Sequence, residues 1–230
     1  MAPRKPVPCP IAFPVPRRPV SDESVARAVA HLLDQYQDFL LRKMEDARDE
    51  VIEDKANPVK LMIDKLLKMD SDPSLARRIH LKEASETKMG DLLEQVALMI
   101  NIEAFGGQKS SAEGLDIEFK DTASATRYLV ACKSGDKWAN SDSSQKLADN
   151  FHAAERRINT SSTKDSRDHL VFVNGCVYGN NSRDKLNKTY YRVAGADYWH
   201  FISGDPTMLD RITAEMRRQL GEVSPIDIDA

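Results

Sequence analysis

The sequence has few cysteines, few aromatic residues and no long hydrophobic run. Its three cysteines (Cys9, Cys132 and Cys176) are an odd number without Cys-x-x-Cys spacing, which argues against a disulfide framework and a structural zinc site. None of the five histidines lies at ligand spacing from another histidine or a cysteine, so we expect all five to be structural. No window approaches the roughly 18 consecutive apolar residues that a membrane-spanning helix needs.

The N-terminus also lacks the apolar core of a signal peptide, so we expect a cytoplasmic protein. The formal net charge of −3 does not by itself indicate a nucleic-acid-binding protein, although the local distribution of charge matters more than the sum. The chain has 230 residues, enough for one catalytic domain with an accessory segment.

Residues 1–20 contain seven of the eleven prolines, four basic residues and no acid. Proline fixes φ and lacks an N–H group, so we expect an extended arm rather than a helix. Two roles stay open. The arm is a disordered tail or a strap around a second subunit, or its positive charges contact DNA phosphates or a groove.

Residues 21–84 are predicted to be helical. Ser21 followed by Asp22 and Glu23 is typical of a helix start, because a hydroxyl caps free N–H groups and acids favour the positive end of the helix dipole. Apolar residues then recur at helical spacing to about Asp54. A second helix is predicted at 58–69 and a third ends near Ala84. We expect this region to serve in dimerisation or as an accessory domain.

From residue 85 the pattern alternates between helices and β-rich runs, which predicts an α/β core with a central mixed sheet flanked by helices. The predicted elements are a helix from Glu86 to about Gly106, strands 115–119 and 127–132, a helix 143–158, strands 169–173, 190–193 and 199–202, and a final helix after Asp205-Pro206 that ends near Gly221. The predicted organisation is an arm 1–20, a helical region 21–84, an α/β domain 85–222 and a tail 223–230.

Charged residues lie in or at the end of two of these strands. Alternate residues of a strand share a face, so Asp116 and Glu118 point the same way. If the two strands pair as a hairpin, Asp116 and Lys133 can meet at one end of the sheet. Such groups are costly to bury without a function. Phosphodiester hydrolysis supplies one: the carboxylate holds Mg²⁺, the metal polarises the phosphate and generates hydroxide, and the lysine positions or activates the water.

These two runs resemble the PD-(D/E)xK nuclease superfamily, in which an Asp begins one strand and an acid-x-Lys ends the next. The sequences at 114–119 (GLDIEF), 133–135 (KSG, with Trp138 and Asn140 behind it) and 198–204 (YWHFISG) resemble, more specifically, type II restriction endonucleases that cut a palindromic site. The resemblance covers about residues 86–220. It implies a restriction-endonuclease-like core, Mg²⁺ as cofactor, and a homodimer on double-stranded DNA in which each subunit cuts one strand.

Ala131 departs from this resemblance, because the superfamily pattern has Glu or Asp two residues before the lysine. A metal at Asp116 then needs a carboxylate from elsewhere. The resemblance implies Glu94, on the helix before the Asp116 strand, as the first candidate and Glu118 as the second. The backbone carbonyl of Cys132 can complete the ligand set. The ordinary alternatives are a solvated helix residue at 94 and a surface strand residue at 118.

Candidate DNA contacts flank this site. Ser134 and Lys137 can touch phosphate, and Asn140 can bind DNA or cap the following helix. The loop 179–188 is rich in groups that can read base edges, although a polar loop explains them equally well. Its candidates are Asn180, Asn181, Arg183, Lys185 and Lys188.

Three other interpretations stay open. A junction resolvase or repair nuclease of the same superfamily would recognise DNA shape rather than sequence. A catalytically silent DNA-binding protein would account for Ala131, although Lys133 has no evident reason to lie near a strand end in such a protein. In a helical interaction protein, Asp116 and Lys133 would form an ordinary ion pair.

Overall fold

The computed structural model describes residues 9–53, 73–135, 140–160, 169–186 and 189–221. These ranges contain five helices and six strands. In chain order they are α1 (Asp22–Glu53), α2 (Pro73–Phe105), β1 (Gln108–Lys109), β2 (Ile117–Asp121), β3 (Thr126–Gly135), α3 (Ser141–Thr160), β4 (His169–Tyr178), β5 (Arg183–Leu186), β6 (Tyr190–Ala194), α4 (Ala196–Ser203) and α5 (Met208–Leu220).

The strands form one mixed sheet in the order β1-β2-β3-β4-β6-β5. The central strands β3, β4 and β6 are parallel, whereas β2 pairs antiparallel with β3, and β5 pairs antiparallel with β6. Parallel neighbours need a crossover, and α3 lies in the chain between β3 and β4. The predicted α/β fold with a mixed sheet flanked by helices is confirmed.

Both faces of the sheet are covered, and β3 shows how its sequence achieves this. Val130 and Cys132 belong to the larger hydrophobic cluster, to which α1, α2, α4 and α5 also contribute. Leu129 and Ala131, which point to the opposite face, belong to a second cluster with residues of α3. A strand buried on both faces shows a continuous apolar run, as residues 128–132 do.

Helix α1 shares the core of the sheet. Val25, Val29 and Leu32 are buried in the same cluster as Ile202 and Met208 of α4 and α5. The helix begins where the sequence predicts, because the Ser21 hydroxyl accepts a hydrogen bond from the Ser24 N–H at 3.1 Å. The first turns of α1 are therefore packed together with the sheet.

The described part of the arm, residues 9–20, lies against this core. Phe13 stacks on the His200 ring with centroids 3.7 Å apart. The Arg17 N–H donates to the Ala104 carbonyl at 2.8 Å, and the Arg18 side chain donates to the Glu103 carbonyl at 3.0 Å. These contacts hold the arm beside the C-terminal end of α2. Residues 1–8 lie outside the described residues.

Two predicted elements differ from the structure. The break predicted near residues 84–86 is replaced by a single helix, α2, that runs through it. The strand predicted at 199–202 is wrong, because these residues belong to α4. Tyr198, Trp199, Phe201 and Ile202 of this short helix are all buried, so no polar face marks its helical period.

The loop predicted at 179–188 contains the strand β5. The helix predicted at 58–69 and the tail 223–230 lie outside the described residues. In the described part of the chain, no helix has the length and apolar character needed to cross a membrane.

Candidate active site

Asp116 lies just before β2 and ends the ladder between β2 and β3. Its N–H donates to the Val130 carbonyl at 2.8 Å. Its carboxylate oxygen Oδ2 accepts a hydrogen bond from the Cys132 N–H at 2.7 Å. In a regular ladder, a backbone carbonyl of the neighbouring strand would accept that N–H. These two bonds fix the Asp116 side chain beside the end of β3, where Lys133 follows directly.

Glu94 reaches the same place from α2, which packs against β2 and β3. The chain turns back at Gly106-Gly107 into the short edge strand β1, and this turn places Lys109 between the two acids. The Lys109 ammonium donates to Asp116 Oδ1 at 3.3 Å and also bonds to Glu94 Oε1. The structure therefore places two carboxylates around one cationic group.

The pKa shifts at this cluster have a common origin in burial and charge. Burial raises the pKa of Glu94 and the nearby Asp116 charge raises it further, while the hydrogen bond from Lys109 opposes the rise. Burial lowers the pKa of Lys109, but its bonds to Glu94 and Asp116 outweigh this and leave it above the ordinary value. Two carboxylates this close favour a cation between them.

The donor set fits a divalent metal such as Mg²⁺. Carboxylate oxygens, backbone carbonyls and water are the ligands that Mg²⁺ prefers, and Glu94 and Asp116 already hold a cation between their oxygens. No third His, Cys, Asp or Glu joins them within the described residues. Burial also raises the pKa of the Cys132 thiol, whose sulfur lies 3.1 Å from the Tyr198 hydroxyl.

Lys133 lies near the end of β3, half-buried and opposite Cys176 of β4. It follows Cys132, whose N–H binds Asp116, so the two predicted central residues lie at the same end of the β2–β3 hairpin. The Lys133 charge lowers the pKa of the Cys132 thiol, although burial and Asp116 outweigh it.

Glu118, the second candidate acid, has a different partner. Arg127 of β3 donates to Glu118 Oε1 through its Nε at 2.9 Å and forms an ion pair with it. The Glu118 side chain is only 11% exposed. The structure thus brings Glu94, and not Glu118, into contact with the Lys109–Asp116 pair.

Ala131 is fully buried in the cluster that α3 covers, with Leu147 and Phe151 among its members. Its neighbour on β4 is Asn174, which is also buried. An acid at position 131 would therefore lie beneath α3.

The candidate DNA contacts are spread over several elements. Asn140 caps α3, since its Oδ1 accepts the Ser143 N–H at 2.9 Å. Ser134 is half-buried and packs beside Gly90 of α2. Asn180 is exposed, and Asn181 accepts a hydrogen bond from Arg183 at 2.9 Å. Lys137, Trp138 and Lys188 lie outside the described residues, as does the side chain of Lys185 in β5.

Two contributors to the site were not predicted from the sequence. Lys109 lies in a two-residue strand, which is too short to show a periodic pattern. Tyr198 lies under the site, where its hydroxyl is 3.1 Å from Cys132 Sγ. Gly175 makes room for it, because a Cβ there would lie 2.2 Å from the Tyr198 ring. Tyr198 of the segment 198–204 thus packs against β3 on the face of the sheet that carries Cys132.

Comparison with known families identifies the chain. The family model for the type II restriction endonuclease EcoO109I matches residues 24–222. The chain belongs to this family. No curated protein matches it closely enough to be counted as a relative.

As a member of the EcoO109I family, the protein is a type II restriction endonuclease, a site-specific deoxyribonuclease that binds DNA. The match begins in the first turn of α1, so it includes the N-terminal helix as well as the sheet. This extends the resemblance seen in the sequence, which began at about residue 86. It agrees with the packing of α1 into the core of the sheet.

Proposed function

We propose that this EcoO109I-family enzyme is a Mg²⁺-dependent endonuclease that acts as a homodimer on double-stranded DNA and cuts both strands at a palindromic site. The observation that carries the proposal is the pair of carboxylates Glu94 and Asp116, held around the Lys109 ammonium at the end of the β2–β3 hairpin where Lys133 also lies. A two-fold site suits two identical subunits, each cutting one strand.

Glu94 and Asp116 would hold the metal, and the Cys132 carbonyl or water would complete its shell. Glu94 would supply the second carboxylate from α2, because position 131 of β3 carries no acid and faces the cluster under α3. A bound Mg²⁺ would polarise the scissile phosphate and lower the pKa of a bound water. Lys133 would orient the attacking water and balance charge on the phosphate.

We propose accessory roles for the remaining regions. The helical region 21–84 would brace the dimer, the nuclease domain would span 85–222, and the arm would add positive charge near DNA. Polar and basic residues within 134–140 and 180–188 would contact phosphates or base edges. These candidates are Ser134, Lys137, Asn140, Asn180, Asn181, Arg183, Lys185 and Lys188.

The test is incubation with plasmid DNA, with Mg²⁺ or with EDTA, for the parent and for Asp116→Ala and Lys133→Ala. Matched controls remove one charge of the same sign at exposed positions, namely Asp210→Ala in α5 and Lys146→Ala in α3. We expect discrete fragments that require metal, that persist in both controls and that vanish in both site variants. The fragment map then gives the recognition sequence.

Three results would contradict the proposal. Fragments in the presence of EDTA would rule out metal dependence. Plasmid that stays intact with every divalent metal, while the protein still binds DNA, would indicate a silent DNA-binding member of the family. Cleavage at branched junctions without sequence preference would favour a resolvase.

A further inference from the structure

We propose that Lys109 occupies the metal position between Glu94 and Asp116 in the metal-free enzyme, and that a divalent metal must displace it to bind. The inference rests on the proposed metal site. In this proposal, the Lys109 ammonium competes with the metal for the same two carboxylates.

The geometry places the ammonium where the metal would lie. Lys109 Nζ bonds to Oε1 of Glu94 and lies 3.3 Å from Oδ1 of Asp116, so it touches one oxygen of each candidate ligand. The two carboxylates are mostly buried, with side chains 24% and 15% exposed. The cation between them is therefore supplied by the chain itself.

The Lys109 side chain can leave without disturbing the strand. Its side chain is 55% exposed at the edge of the sheet, so its flexible stem can turn into solvent. The edge is held by backbone bonds instead: β1 pairs with β2, and the Ser110 N–H donates to the Asp116 carbonyl at 3.0 Å. Only the two ion pairs of the ammonium are lost when it moves.

Charge balance makes the two cations exclusive. One ammonium leaves a single net negative charge on the pair of carboxylates, whereas Mg²⁺ neutralises both. An ammonium that stayed beside the metal would repel it at close range in a partly buried site. Metal binding must therefore break two ion pairs, which weakens the apparent affinity for metal in the absence of DNA.

The experiment is a calorimetric titration of the full-length protein with Mn²⁺, without DNA, for the parent, Lys109→Met and Lys109→Arg. Lys146→Met provides the control for loss of one positive charge at an exposed position. Asp116→Asn shows which heat comes from this site. Circular dichroism checks that each variant is folded.

We expect Lys109→Met to bind Mn²⁺ roughly five- to tenfold more tightly than the parent, the ratio that corresponds to losing two partly exposed ion pairs. Lys109→Arg and Lys146→Met should bind like the parent. Equal or weaker binding by Lys109→Met, with binding lost in Asp116→Asn, would overturn the inference while leaving the proposed nuclease intact. No site-specific metal binding by the parent, even with DNA present, would overturn the proposed metal site and this inference together.

Discussion

Glu94 and Glu118 lie on neighbouring elements, yet their carboxylates have different partners. Glu94 contacts the Lys109–Asp116 pair, whereas Glu118 forms an ion pair with Arg127. We expect Glu94→Gln to reduce metal-dependent cleavage by at least about 100-fold. Changing a residue that only hydrogen-bonds to a metal ligand costs up to about 100-fold in activity, and loss of a proposed ligand should cost at least as much. A plasmid cleavage rate with Mg²⁺ measures this effect.

Glu118→Gln is the matched comparison, since it makes the same chemical change two residues from Asp116. We expect it to keep cleavage but to lower the free energy of unfolding by roughly 1–3 kcal/mol, because Arg127 loses its charged partner in a mostly buried setting. The reverse pattern, with cleavage lost only in Glu118→Gln, would assign the metal to Glu118 instead.

Ala131 allows a second prediction for a single residue. Restoring the acid of the superfamily pattern with Ala131→Glu would place a carboxylate in the apolar cluster under α3. We expect a loss of roughly 1–3 kcal/mol in the free energy of unfolding and no gain in cleavage, because a longer side chain must fit into a packed core. Urea unfolding measures the first effect. A stable variant with faster cleavage would show that position 131 reaches the metal.

The sequence predicts some of these residues and not others for physical reasons. Two apolar runs joined by a short polar turn predict a hairpin, and the antiparallel pairing of the hairpin brings Asp116 and Lys133 to the same end. Lys109 follows a glycine turn in a strand of two residues, where no periodic pattern exists. Its role depends on the packing of α2 against the sheet, a contact that local sequence does not encode.

At the scale of elements, Asp205 joins the start of α5 to α1. Its carboxylate accepts the Thr207 N–H at 2.8 Å and an Arg211 bond at 2.6 Å, and Arg211 in turn bonds to Asp22 at 2.6 Å. Burial raises the pKa of Asp205, but these donors outweigh it and leave the pKa below the ordinary value of 3.8. The ionised form therefore stabilises the fold.

The stabilisation that ionised Asp205 provides depends on pH. The folded protein binds the Asp205 proton less tightly than the unfolded chain, so this stabilisation is complete above the ordinary pKa and is lost as pH falls through the lower folded value. We expect Asp205→Asn to lower the free energy of unfolding by about 1 kcal/mol near neutral pH. The difference from the parent should shrink on acidification below the ordinary pKa. Urea unfolding near neutral pH and again below the ordinary pKa of Asp205 measures this difference, with the exposed Asp210→Asn as control.

Elements with one polar face were predicted well, and those without one were not. The long α1 and the strongly amphipathic α3 and α5 appear where the apolar spacing places them. The buried helix α4 has the composition of a strand, because aromatic and β-branched residues suit both when all sides are covered. The edge strand β5 lies in a polar stretch, and its pairing with β6 defines it instead.

At the scale of the whole molecule, a dimer in which each subunit cuts one strand makes a distinct prediction. Mixing the parent with an excess of Asp116→Ala, under conditions that exchange subunits, should convert supercoiled plasmid mainly to the nicked circle, since most active subunits then have an inactive partner. Gel electrophoresis separates the nicked and linear forms. Linear product in proportion to the parent present would indicate that one subunit cuts both strands. Excess Asp210→Ala, at an exposed position of α5, is the control and should leave linear product dominant.

The hydrogen bonds of Arg211 and Gln219 also bear on how the molecule is made. They reach the carbonyls of Val20 and Ala26, across 191 and 193 residues of sequence. On the ribosome, α1 is synthesised first, but part of its apolar side stays uncovered until α5 has emerged, because α5 belongs to the same core. Contacts so distant in sequence form late. The core of an enzyme that cuts DNA is thus completed only when α5 has been translated.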